Sequence, residues 1–197
     1  VCTNRVFIQR SIYQQFSEKL VAAVESRLSL GNGFTEGVTN GPLINKGAVT
    51  TVVDLVERSV AQGARILTGG SVSDLGDNYY QPTILGDVTN DMPIAREEIF
   101  GPVAPLIIFD SEQQVIDMAN DTNVGLAAYF YSRDIGRVWR VSEQLEYGIV
   151  GVNEGIISNE MAPFGGVKES GMGREGSKYG LDDYLEMKYI CMGGLEQ

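Results

Sequence analysis

Residues 162–176 read Ala-Pro-Phe-Gly-Gly-Val-Lys-Glu-Ser-Gly-Met-Gly-Arg-Glu-Gly, five glycines in fifteen positions with a proline, a phenylalanine and two acids. Glycine costs about 1 kcal/mol in a helix interior, so the run predicts neither an ordinary helix nor a strand. Its conformational freedom suits a backbone bent around something that approaches it closely. Phe164 and Val167 argue for a site loop rather than a solvated linker. Gly171, Gly173 and Gly176 spell G-x-G-x-x-G. A dinucleotide fingerprint, however, needs a strand just before it, a helix opening from it and an acid about 20 residues on. The preceding Gly-Gly-Val-Lys-Glu-Ser is no strand, and Glu196 meets the distance only from within the tail, so that reading is set aside.

The elements that must position such a loop alternate between two periods. Residues 5–9 are short and rich in β-branched and aromatic side chains, which predicts a buried strand. Ser11 is placed to cap a helix carrying Ile12, Phe16, Leu20, Val24 and Leu28 on one face. A glycine- and asparagine-rich loop over 31–40 precedes a second amphipathic helix, 46–62, stopped by Gly63. Strands are expected over 64–68, 79–85, 105–109, 126–131 and 149–152. Ser111 caps a helix reaching about Asn120. Another helix over 135–147 is expected to turn Val138, Trp139, Val141 and Leu145 inward. Strands alternating with helices at these lengths predict an α/β fold built on a mostly parallel sheet covered by helices. From Tyr184 to Met192 large and charged side chains alternate, which predicts a terminal strand.

Composition narrows the chemistry. The 197 residues are 43% hydrophobic and 21% charged, with no apolar run long enough to cross a membrane. A net charge of −11 and the absence of any histidine exclude a basic nucleic-acid footprint and histidine-based catalysis or metal binding within this chain. Two cysteines near opposite ends make neither a disulfide framework nor a zinc spacing. Free thiols suit a reducing space, the cytoplasm or the mitochondrial matrix.

Several motifs carry a family resemblance. Pro-Phe-Gly-Gly-Val-Lys-x-Ser-Gly-x-Gly-Arg-Glu at 163–175, followed by Tyr-Gly-Leu-Asp-Asp-Tyr-Leu-Glu-Met-Lys at 179–188, resembles the C-terminal signature of aldehyde dehydrogenases. Glu97-Glu98-Ile99-Phe100-Gly101-Pro102-Val103 resembles the family's E-E-x-F-G-P segment, and Val1-Cys2-Thr3-Asn4-Arg5 the tail of its catalytic-cysteine motif. Gly41-Pro42-Leu43-Ile44 and the stretch 125–130 match in order and spacing. Within the family, 148–158 and 174–180 are most similar to succinate-semialdehyde dehydrogenases. The resemblance covers nearly all of this chain but only the C-terminal two-fifths of the family. It implies a catalytic domain over 1–162, a glycine-rich site loop and short helix over 163–183, and an oligomerisation strand and tail over 184–197.

The activity it implies is oxidation of an aldehyde: a thiolate attacks the carbonyl, hydride passes to NAD or NADP, and water cleaves the thioester. In the family pattern the nucleophile stands five residues before the position of Arg5, one residue ahead of Val1. Cys2 is then a second thiol on the same loop, a redox partner able to form a disulfide. It could also be the nucleophile itself, or a structural cysteine. Glu98 and Phe100 match positions that hold the nicotinamide ribose and flank the ring; a helix-end acid and a core phenylalanine are the plainer readings. Glu175 matches an acid near the water or proton route, and could equally pair with Arg174 or cap a helix. Phe164 is implied as a wall of the aldehyde pocket; plain packing is the simpler reading. Ser158 is implied to bind the distal carboxylate of the substrate, helped by arginines that this chain lacks, or else to cap its loop.

The expected substrate is succinic semialdehyde, with another short semialdehyde such as glutarate semialdehyde as the alternative. The expected assembly is a homo-oligomer formed through the terminal strand. With its general base and oxyanion amide also upstream in the family pattern, the chain alone is expected to oxidise no aldehyde. A non-catalytic binding or oligomerisation module is the reading from another class.

Overall fold

A computed structural model describes residues 2–194; Val1 of the cysteine motif and Glu196 of the tail lie outside the described residues. The chain divides into two compact units, Val1–Met118 and Ala119–Gln197.

The first unit is a four-stranded sheet in the order β1-β4-β3-β2, formed by β1 (Val6–Gln9), β2 (Arg65–Thr68), β3 (Thr83–Val88) and β4 (Val103–Phe109). β4 runs parallel to both β1 and β3, and β2 is antiparallel to β3. Period two sorts its side chains between two layers. Ile8, Ile84 and Leu106 turn to one face, where Phe16, Leu20 and Val24 of α1 (Arg10–Arg27) cover them. Leu85, Val103 and Ile107 turn to the other, under α2 (Lys46–Ala61) and α3 (Pro93–Arg96). The sheet is thus mostly parallel and covered, as its near-continuous apolar strands require.

α2 shows why these residues make a helix. Asn45 accepts a hydrogen bond from the Ala48 amide at its start, and Gly63, at φ 112°, turns the chain away at its end. Val49, Val52, Val56 and Ser59 repeat at three- and four-residue spacing and are buried. Full burial of a side chain such as Leu55 is worth about 1.5–3 kcal/mol.

Three expectations for this unit are corrected. Ser11 lies inside α1, which opens at Arg10 with no side-chain cap. The buried face of that helix centres on Tyr13 and Ser17, while Ile12 is exposed and Leu28 lies past the last turn. The strand expected over 79–85 begins at Thr83, because Tyr80 is buried in a separate bridge to Val72.

The second unit is assembled from small pieces. β6 (Ala127–Phe130) and β7 (Ile149–Val152) pair in parallel across α5 (Ile135–Gln144), and β5 (Val124–Gly125) pairs antiparallel with β8 (Val167–Lys168). Asp134 caps α5 by accepting from the Arg137 amide, and that bond holds its carboxyl below the usual range. Val141 is buried and Val138 and Leu145 are half-buried, but Trp139 points outward, 65% exposed, contrary to expectation. Adjacent helical residues differ by about 100°, so Trp139 shares a stripe with exposed Ile135 instead.

The glycine-rich run does contain a strand, the two residues of β8. What approaches it closely is the chain's own backbone: a Cβ on Gly148 would stand 2.0 Å from the Gly165 carbonyl oxygen. Lys168, at φ 56°, donates from Nζ to the carbonyls of Asn120 (2.8 Å) and Thr122 (3.0 Å) and pairs with Glu146 at 2.5 Å. A 3-10 helix, Lys178–Tyr184, follows. The strand expected from Tyr184 to Met192 has no partner within this chain: among the described residues, 185–194 pair with no strand, and Tyr184 closes the 3-10 helix. Leu185 is extended, and Leu185, Met187 and Tyr189 are exposed.

Candidate active site

The crossover from β3 to β4 carries Glu98 and Phe100. α3 ends at Glu97, whose carboxylate takes the Arg58 guanidinium at 3.0 Å; Asp54 holds the same guanidinium at 2.8 Å. Ile99 then drops into the core at 3% exposure, and the residues on either side of it are left outward. Glu98 is exposed and Phe100 is 82% exposed, so Ile99, not Phe100, is the core residue of this segment. Phe100 sits at φ 47°, a left-handed conformation that a bulky residue adopts only where its surroundings impose it. Gly101 supplies part of that constraint, since a Cβ there would stand 2.5 Å from Cγ2 of Val52 in α2.

The same segment is tied to the loop of Cys2. Asn4 donates from Nδ2 to the Glu97 carbonyl (3.0 Å) and accepts at Oδ1 from the Ile99 amide (2.9 Å). Cys2 is a free, exposed thiol two residues away. The role of Asn4 is absent from the reading of the sequence. The one signal for it is a side chain with both a donor and an acceptor directly after the thiol loop.

In the second unit a cleft of about 440 Å³ gathers Ser158, Phe164 and Glu175, together with Asn159, Glu160, Ala162 and Gly176. Phe164 and Glu175 face each other through a reciprocal backbone pair, 2.8 Å from the Phe164 amide and 2.7 Å from the Glu175 amide. Glu175 does not pair with Arg174, and Ser158 does not cap its loop. Arg174 donates to the carbonyls of Gly166 (2.8 Å) and Gly173 (2.6 Å) rather than to Glu175. Asn159 closes the loop turn, its Oδ1 accepting from the Met161 amide at 2.8 Å, while the exposed Ser158 hydroxyl has no hydrogen-bond partner among the described residues. Upstream, Glu154 accepts from the amides of Gly155 (2.9 Å) and Ile156 (3.1 Å). Those two bonds, Ile156 first, hold its carboxyl below the ordinary range.

Among the described residues no group of three or more acids and cysteines is placed to hold a metal ion, and no helix is long and apolar enough to cross a membrane.

The sequence profile of the aldehyde dehydrogenase family matches residues 1–190, and the chain belongs to that family. It is 57% identical over 195 residues to the mitochondrial succinate-semialdehyde dehydrogenase of Oryza sativa subsp. japonica, covering 99% of this chain and 37% of that protein. It is 56% identical to the 3-sulfolactaldehyde dehydrogenase of Pseudomonas putida, covering all 197 residues and 40% of the relative. The crystal structure of an NADP-dependent enzyme of E. coli superposes with a TM-score of 0.95 at 55% identity, over 98% of this chain and 40% of that one. The chain spans about 36–40% of the length of the curated relatives it matches.

Proposed function

We propose that this chain supplies the substrate- and cofactor-facing side chains of an NAD(P)-dependent dehydrogenase that oxidises succinic semialdehyde to succinate through a cysteine thioester. The observation that carries the reading is the cleft in which Ser158, Phe164 and Glu175 line one space with the serine hydroxyl uncommitted. Both curated relatives described above are named for short aldehydes with an anionic far end, a carboxylate in one and a sulfonate in the other. A hydroxyl donor suits such an anion. Phe164 offers an apolar wall for the carbon chain, and the Glu175 carboxylate lies near the route of water or protons.

The first unit fits a nicotinamide cofactor by the chemistry of its outward groups. The Glu98 carboxylate can accept from two ribose hydroxyls, and the Phe100 ring can lie against a planar heterocycle. When bound, NAD or NADP accepts the hydride. Cys2 serves on this reading as a second thiol beside the nucleophile, and the isolated chain has no aldehyde oxidation of its own. Residues 1–162 belong to the catalytic domain and 163–183 to its site loop. The exposed apolar side chains of the 184–197 segment pair with another copy. Light scattering on the full-length protein lacking that segment should show a smaller particle, and an unchanged one would remove this part of the proposal.

The deciding experiment is Ser158→Ala in the full-length enzyme. Loss of one hydrogen bond to a charged group should lower kcat/KM for succinic semialdehyde by the equivalent of about 1–3 kcal/mol. An uncharged aldehyde of similar length should be turned over almost as before. Equal losses on both would make Ser158 a loop residue and sink the assignment.

A further inference from the structure

We infer that Asn4 is a positioning residue that holds Glu98 and Phe100 in place from the thiol loop, acting as a one-residue substitute for a parallel β-strand. In a parallel ladder, the residue beside Glu98 would donate its N–H to the carbonyl of residue 97 and accept from the amide of residue 99. The Asn4 carboxamide makes that same pair of bonds, at 3.0 Å to Glu97 O and 2.9 Å from Ile99 N–H. Both peptide planes flanking Glu98 are therefore fixed by one planar group. Asn4 stands two residues before β1, which itself runs parallel to β4, so the carboxamide extends that pairing sense beyond the end of the strand.

The segment needs this hold. Glu98 and Phe100 are exposed and draw no support from packing, while Phe100 carries a left-handed backbone. Three fixings surround them: Ile99 in the core, Gly101 against Val52, and Arg58 on the Glu97 carboxylate. Among the described residues, only Asn4 is hydrogen-bonded to the Glu97 carbonyl and the Ile99 amide that flank Glu98. Asparagine is the shortest side chain with both a donor and an acceptor on one rigid plane, and aspartate keeps the acceptor alone. The consequence for function rests on the proposed cofactor role of Glu98. The carboxylate is presented to the ribose in a preset direction, and a shift of the thiol loop is transmitted to the cofactor segment through a single side chain.

The test uses the full-length enzyme. In the cofactor-free protein, Asn4→Leu, close in shape but without donor or acceptor, should speed amide hydrogen exchange at Ile99 by roughly fivefold or more, the change expected for loss of one hydrogen bond of ordinary strength. Exchange in β3, β4 and α2 should stay as it was, with an unchanged thermal midpoint. The dissociation constant for the nicotinamide cofactor, read by equilibrium fluorescence, should rise roughly five- to tenfold, with KM for the cofactor affected more than kcat. Asn4→Ala, which also removes both bonds and adds no apolar bulk, should show the same pattern and covers a failure of the leucine variant to fold. Unchanged exchange at Ile99 in either folded variant overturns the clamp. Cofactor affinity that survives both variants but falls in Glu98→Gln overturns its coupling to the site. If Glu98→Gln itself leaves the affinity untouched, the cofactor reading of Glu98 has failed instead, and exchange at Ile99 alone then decides the clamp.

Discussion

The two units reach their folded states by different means. Of the 21 buried hydrophobic residues among those described, 19 belong to the first unit, and only Ala119 and Val141 belong to the second. The first is organised by side chains: β3 and β4 send alternate residues into two layers, and the helices close over both. The second is organised by backbone. Its buried positions include Gly125, Gly151 and Gly166, and its strands are two to four residues long. A side-chain core tolerates change of shape and resists loss of volume, whereas backbone against backbone tolerates no added atom at all. The proposed roles divide along the same line. The rigid unit carries the cofactor-facing pair, and the glycine-built unit carries the substrate cleft.

The sharpest way to break this contrast is to remove volume from one unit and add it to the other. Leu106→Ala should cost about 2–5 kcal/mol, read as a fall in the unfolding midpoint in denaturant, because Leu106 is fully buried under α1. Gly148→Ala should cost less, about 1–3 kcal/mol, and its effect should centre on the second unit. There the new methyl meets the Gly165 carbonyl oxygen, so amide exchange should quicken over β8 and the cleft while β3 and β4 keep their protection. An alanine at 148 without measurable cost would show that the loop yields easily and that the contrast is overdrawn.

The smallest effect concerns protons. Glu154 has a depressed carboxyl pKa in the folded chain, so its bonds to Gly155 and Ile156 contribute above the ordinary carboxylate range and are lost as pH falls through the depressed value. Below the ordinary carboxylate range, as pH falls through that depressed value, the turn leading to Ser158 should loosen. NMR shifts of the Gly155 and Ile156 amides should follow that titration, and Glu154→Gln should leave them flat over the same range.

Much of the fold was legible because period and punctuation agreed. The Lys46–Ala61 helix has its apolar residues at helical spacing and a glycine at its end, and it forms within a residue of expectation. β7 forms over the expected residues, 149–152. Direction was harder than type. Val138 and Trp139 are neighbours of similar hydrophobicity, and nothing local says which stripe faces inward. Ile99 and Phe100 posed the same question, and packing against Val52 and Val103 answers it in favour of the smaller residue. The terminal strand is a different case: alternation specifies two faces but supplies no hydrogen-bonding neighbour, and among the described residues none lies within the chain. In the candidate site, Ser158, Phe164 and Glu175 could be named by chemical type and motif. Asn4 could not, because its significance depends on a segment more than ninety residues away.

Lys168 has a consequence for chemical labelling. An ammonium has three protons to donate, and here Asn120, Thr122 and Glu146 receive them. An acylating reagent must reach the amine nitrogen, and here three acceptors are gathered around it. Lys168 should therefore be among the last lysines of this chain to react with an amine-directed reagent, although it sits in an otherwise exposed loop. The moment at which it does react would serve as a built-in clock for the opening of the glycine-rich turn.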